Sequence, residues 1–161
     1  MTNFNFYYSI KQMFDEGYVT EAQVAKAFNK HFITLEQYQD IVPAETDILK
    51  GVQDSRISDS RVMLEDYLAN HPYVKNDKSY TVTSQKQALL ANAIATYQIS
   101  AATGTPKTIK WNTTGEECTE FTYEEICALA LEIAAYVEPK VSHQQSLEVQ
   151  IRNCQTVDEV M

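Results

Sequence analysis

The feature that most constrains this chain is a recurring helix-start signature, a Ser or Thr followed three residues later by Gln or Glu. It stands at Thr20/Gln23, Thr34/Gln37, Ser84/Gln87, Thr122/Glu125 and Thr156/Glu159. In such a pair each side chain satisfies a backbone N–H that a helix start leaves orphaned. Interruptions are scarce, with only four Gly and four Pro in 161 residues, which favours helices over a turn-dense sandwich. The expected fold is α+β and mainly helical: an N-terminal helical hairpin, then a small module of helices packed on a β-hairpin.

Residues 4–14 place Phe6, Tyr7, Ile10, Met13 and Phe14 at helical spacing, and Gly17 ends the helix. A second helix from Thr20 turns Val24, Ala27 and Phe28 inward. A third, from Thr34, carries Leu35, Tyr38, Ile41 and Val42 and is stopped by Pro43. Residues 1–42 are too few for a sizeable core, because below about 40 residues a chain without disulfides or metal usually needs a partner. The face bearing Phe6, Tyr7, Ile10 and Phe14 is therefore expected to dock, on the rest of the chain or on another protein. Residues 43–53, PAETDILKGVQ, read as a junction.

Residues 54–161 read as the second module. Ile57, Val62, Leu64, Tyr67 and Leu68 predict a helix from about Asp54 to Asn70, and residues 78–83 alternate Tyr80 and Val82 as a short strand. The helix from Ser84 carries Ala88, Leu89, Ala91, Ala95 and Ile99 and ends near Gly104. Two runs, one with Ile109 and Trp111 and one with Cys118 and Phe121, flank Asn112 to Gly115, which suits a hairpin. The helix from Thr122 carries Ile126, Leu129, Ile133, Tyr136 and Val137. Pro139 is expected to kink or restart it ahead of Val141, Leu147, Val149 and Ile151. Trp111 has two readings, packing between hairpin and helix or standing as an anchor for a partner; packing is the commoner fate.

The net charge of −9 opposes binding to nucleic-acid phosphates. It is uneven: residues 1–49 carry −4, residues 50–111 carry +3 and residues 112–161 carry −8. No apolar run approaches the roughly 20 residues of a membrane span, and the N-terminus lacks the pattern of a signal peptide. Cys118, Cys127 and Cys154 match no metal or disulfide spacing, and a reducing intracellular compartment is expected. His31, His71 and His143 have no metal- or nucleophile-motif neighbours. The acids Glu116 to Glu125 are explained by the adjoining helix N-terminus, and no phosphate-loop, dinucleotide or nucleophile-elbow motif occurs. Neither catalysis nor a cofactor is expected.

Residues 13–42 resemble the small XkdX-type proteins encoded among the tail genes of phages of Gram-positive bacteria. The resemblance rests on Gly17, on Thr20-Glu21, and on Ile33, Thr34, Glu36, Tyr38 and Ile41; Phe6-Tyr7-Tyr8 is similar to that family's aromatic opening. Residues 63–161 resemble a domain of unknown function found in tail-fibre assembly proteins and other tail-locus proteins. That likeness lies in Lys78 to Thr83, Trp111 to Gly115 and Phe121 to Glu125.

The paired resemblance implies a non-enzymatic phage tail protein that binds a tail-fibre or baseplate protein, as an assembly factor or a virion subunit. It would reside in the host cytoplasm during assembly, or on the virion tail, with self-association a further option. Phe6, Tyr7, Ile10, Phe14 and Trp111 are the expected partner-binding residues. The alternative is an acidic inhibitor that mimics nucleic acid and blocks a host protein, suggested by the charge of the C-terminal third.

Overall fold

The computed structural model describes residues 6–43, 47–105 and 108–161. Residues 1–5, the middle of the 43–53 junction (44–46) and the pair 106–107 lie outside that description. The described residues form seven helices and two antiparallel hairpins, the mainly helical α+β class expected. In order they are α1 (Phe6–Asp15), α2 (Glu21–Asn29), α3 (Leu35–Ile41), α4 (Ile48–Asn70), β1 (Tyr73–Lys75), β2 (Lys78–Tyr80), α5 (Ser84–Ala102), β3 (Ile109–Trp111), β4 (Thr119–Phe121), α6 (Tyr123–Asn153) and α7 (Val157–Val160). They fall into two compact units, Met1–Arg61 with Gln145–Met161, and Val62–Gln144.

Helix starts in the first unit follow the sequence closely. The Thr20 and Thr34 N–H groups donate to Gln23 Oε1 at 2.8 Å and Gln37 Oε1 at 2.9 Å, and Gln37 N–H donates to Thr34 Oγ1. Gly17, at φ +77°, makes the left-handed turn after α1 that other residues disfavour. The helices bury Ile10, Val24, Phe28, Tyr38, Ile41 and Val52 with Val160 of α7. Gln53 on α4 closes the far end of this core. Its Nε2 donates to the carbonyls of Ile151, in the last turn of α6, and Cys154, just beyond it, each at 3.0 Å. Arg61 grips the Glu148 carboxylate through Nε and Nη2, at 2.6 and 2.7 Å.

The second unit packs Leu68, Tyr80, Val82, Leu90 and Ile109 against Ile126, Leu129, Ile133 and Val137 of α6. In the hairpin of β3 and β4, Ile109 pairs with Phe121 and Trp111 with Thr119, so the strands pair across the Asn112–Gly115 segment as expected. The connection is longer than a tight turn and takes Cys118 off the strand. The Thr122/Glu125 box opens α6, with Thr122 N–H donating to Glu125 Oε2 at 2.9 Å. Lys75 and Tyr73 both reach Glu132 on α6, Nζ at 2.8 Å and Oη at 3.1 Å, and fasten the first hairpin to that helix.

Several expectations are corrected. The strand read over 78–83 is only Lys78–Tyr80, and its partner Tyr73–Lys75 went unread. Asn76 and Asp77 form the two-residue turn, at φ +50° and +60°, the primed geometry that matches strand twist. The cap of α5 is Thr83, whose hydroxyl accepts from Lys86 N–H, whereas Ser84 is the first helical residue and bonds Glu65. On α5 the inward residues are Leu90, Ile94 and Tyr97, while Leu89 and Ile99 are exposed; Val62 and Val149 are exposed too. Pro139 neither ends nor restarts α6, which is helical through it.

The module boundaries also differ from the spatial units. The junction 43–53 is helical from Ile48, and Val52 within it has no solvent exposure. Residues 145–161, read as part of the second module, belong to the first unit and supply Ile151, Cys154, Val157 and Val160 to its core. The physical reason is the one anticipated for residues 1–42. Their helices need apolar surface from elsewhere, and the start of α4 and the end of the chain provide it.

Tyr38 has no solvent exposure, and a Cβ at Gly51 on α4 would stand 2.9 Å from its hydroxyl. That hydroxyl has no hydrogen-bond partner, and burial pushes its pKa up to about 12. Gly51→Ala should therefore destabilise the protein, although Ala is worth up to about 1 kcal/mol over Gly in a helix. Tyr38→Phe should be neutral or stabilising by about 1 kcal/mol, since it removes an unsatisfied buried group. In the Tyr38→Phe background Gly51→Ala should turn stabilising, and urea melts of the four proteins in this cycle measure the change of sign.

Candidate interaction surface

The residues proposed from sequence for partner binding start with α1. The helix presents Ile10 straight into the first core, at 6% exposure. Phe6, Tyr7 and Phe14 flank it half-buried and packed on the same core. The expected docking of this face thus takes place inside the first unit, with Ile10 almost wholly covered. Trp111 belongs to the second unit, half-buried at the edge of its core with Lys86 Nζ 5.5 Å from the ring centre. The four α1 residues are brought together on one face, and Trp111 is not among them.

Docking of α1 is clasped by a polar contact. Tyr7 Oη and Lys11 Nζ both donate to the Asp40 carboxylate near the end of α3, and Lys11 also reaches the Asp40 carbonyl at 3.3 Å. The bonds from Lys11 and Tyr7 hold the Asp40 carboxyl below its ordinary range, and the same contact pushes Lys11 and Tyr7 up.

What α1 leaves outside is a second set of apolar groups. Tyr8 is 65% exposed, Met13 45%, Tyr18 72% and Phe32 57%. Phe32 covers Phe6 with ring centres 5.1 Å apart. Between α1 and α2 runs a groove of about 380 Å³, floored by Ile10 and Ala27, walled by Phe6, Met13, Val19 and Phe32, with Lys26 and Lys30 at its rim. Its make-up, apolar floor and polar rim, is that of a protein-binding groove more than of a small-molecule site. Sequence reasoning passed over Tyr8, Tyr18 and Phe32. The available signal was subtraction: they are the aromatics of residues 6–42 left over once the inward faces are assigned.

A larger cleft of about 520 Å³ lies between α2 and α4. Two lysines and four carboxylates line it, and Lys26 pairs with Asp59 at 3.7 Å and Lys50 with Asp54 at 2.7 Å. Elsewhere His71 stacks on Tyr67 with ring centres 4.0 Å apart, and its Nδ1 lies 2.8 Å from the Tyr67 carbonyl. No group of His, Cys, Asp and Glu among the described residues has the arrangement of a metal site, and no described helix is long and apolar enough to cross a membrane.

The Asp40 clasp makes α1 docking sensitive to acid. A carboxyl with a depressed folded pKa contributes stability that is present above its unfolded value and lost as pH falls through the folded value. The gap in melting temperature between the wild type and Asp40→Asn should therefore shrink as pH falls below about 4, the ordinary Asp value. A gap that stays constant from neutral to acid pH would show that the clasp contributes no ionic stabilisation.

Residues 7–45 match the family described as Phage uncharacterised protein (Phage_XkdX). Residues 53–160 match the family described as Domain of unknown function (DUF4376), which takes in about two-thirds of the chain, and the protein belongs to that family. The two matches stand in the order expected from the residues quoted above, and they make this a phage-associated protein. No curated protein and no solved structure matches the chain.

Proposed function

We propose that this phage-associated member of the DUF4376 family is a non-catalytic tail protein that binds a tail-fibre or baseplate protein, as an assembly factor or a subunit kept on the virion. It would act in the host cytoplasm during assembly. The observation that carries the reading is the α1–α2 groove, where large apolar side chains that the first unit does not bury surround a concave apolar floor. Such exposed groups cost solubility, and clusters of them rimmed by polar side chains mark interaction sites. The match of residues 7–45 to a phage family places the groove in a segment found in phage proteins.

The partner-binding residues are then Phe6 at the wall of the groove, with Met13 and Phe32, and Tyr8 on the adjoining surface of α1. Tyr7, Ile10 and Phe14 act indirectly, by fixing the helix that presents them. An anchor aromatic at an interface centre typically contributes more than about 2 kcal/mol, some 30-fold in affinity.

The test is co-expression with a tail-fibre or baseplate protein of the same phage, followed by pull-down and mass spectrometry of intact particles. Phe32→Ser should reduce recovery of the complex by at least about tenfold and Tyr8→Ser less so, with melting temperatures close to wild type because both side chains are exposed. Complete, infectious fibres assembled in the absence of this gene would overturn the proposal. The acidic-inhibitor reading, in which a host nucleic-acid-binding protein is the partner, would then take its place.

A further inference from the structure

From Gln87 to Pro106 the chain carries no Lys, Arg, Asp, Glu or His, twenty residues in a protein that is otherwise rich enough in charge to place about four there. Most of this stretch is α5, and α5 is not buried: only Leu90 and Ser100 are, with Ile94 and Tyr97 half-covered by the second core. A solvated helix ordinarily carries its charges on the outward face. Here that face is Gln85, Ala88, Asn92, Ala95, Ile99 and Ala102, all exposed, with Ile99 at 66%. Depletion of charge on an exposed surface is the mark of a covered one.

We propose that the protein self-associates through α5, the outer seam of one copy packing antiparallel against the same seam of a second copy. The seam recurs at spacings of three and four residues, the period at which two helices of equal pitch interlock. Its order is self-complementary. In an antiparallel pair centred between residues 92 and 95, Ile99 of each copy lies over Ala88 of the other, Gln85 over Ala102 and Asn92 over Ala95. Each larger side chain meets a small one, twice over, as a twofold interface requires. Asn92 of each copy flanks the axis, where its amide can both donate to and accept from its symmetry mate.

Electrostatics favours an identical occupant on this face in particular. Two copies that each carry −9 repel one another, and α5 is where they can approach without placing like charges opposite each other. Beside the seam, a groove of about 550 Å³ lined by Ala91, Ala95, Ala130 and Ala134 leaves room for the partner helix to lie close. The small side chains put the contact at the lower end of interface sizes, so association in the micromolar range is expected.

Sedimentation equilibrium of the full chain between about 1 and 200 µM tests this over the range that micromolar association spans. The wild-type mass should rise towards twice 18.3 kDa. Ile99→Glu should remain a monomer, with circular dichroism and melting temperature unchanged because the side chain is exposed. Val149→Glu, equally exposed but in the first unit, should dimerise as wild type. Ala88→Lys combined with Ile99→Glu should restore the dimer, since only the antiparallel register sets residue 88 against residue 99 of the other copy. A wild type that stays monomeric throughout, or an Ile99→Glu protein that dimerises normally, overturns the proposal, and failure of the double variant to recover overturns the antiparallel register.

Discussion

Tyr38 is the contact on which the first unit depends. Its ring lies wholly inside, and its hydroxyl reaches α4 at Gly51, where that helix has no side chain. Three short helices of ten, nine and seven residues could not persist in water alone, because a helix of that length does not recover the cost of its nucleation. Seating Tyr38 on α4 supplies the missing surface. Phe28, with its ring 5.7 Å from Tyr38, and Val24 complete the seat from α2. The position of α1, and therefore the shape of the α1–α2 groove, follows from that arrangement together with the Asp40 clasp.

This dependence explains why the sequence families and the spatial units divide the chain differently. Residues 7–45 and 53–160 are the matched segments, yet the compact units part at Arg61 and Gln144. The helices of the first segment have too little apolar surface of their own, so Val52 from α4 and Ile151, Val157 and Val160 from the end of the chain are drawn into the same core. Polar contacts secure the loan: Gln53 holds the carbonyls ending α6, and Arg61 holds Glu148. A unit closed by both ends of a chain buries more apolar area than 42 residues can bury by themselves.

The two proposed binding surfaces differ in kind. The groove beside α1 is rich in large aromatic and thioether side chains and has Lys30 at its rim, which suits an apolar partner with an acidic margin. The outer face of α5 is uncharged, made mostly of small residues, and periodic, which suits a straight helix of the same pitch. Each lies within a single unit.

Most of the helix caps were legible in the sequence because they are local. The boxes at Thr20, Thr34, Thr122 and Thr156 involve atoms three residues apart, and no tertiary contact is needed to form them. The inward faces of α2, of α3 and of the first half of α6, from Ile126 to Val137, were legible for a related reason, since each has one dominant apolar stripe to bury. Where two stripes competed, the sequence was silent. On α5, Ala88, Leu89 and Ile99 are as apolar as Leu90, Ile94 and Tyr97, and only packing against α6 and the β3–β4 hairpin decided which set went inside. The turn at Asn76-Asp77 was missed because strands of three residues give too short an alternation to read. That Ile10 is buried while Tyr8 and Phe32 stand exposed, and that the last seventeen residues complete the first core, are facts of long-range packing. The sequence determined where helices begin and which residues are apolar; tertiary structure decided which apolar surfaces meet, because burial depends on what lies across the core and not on what lies next along the chain.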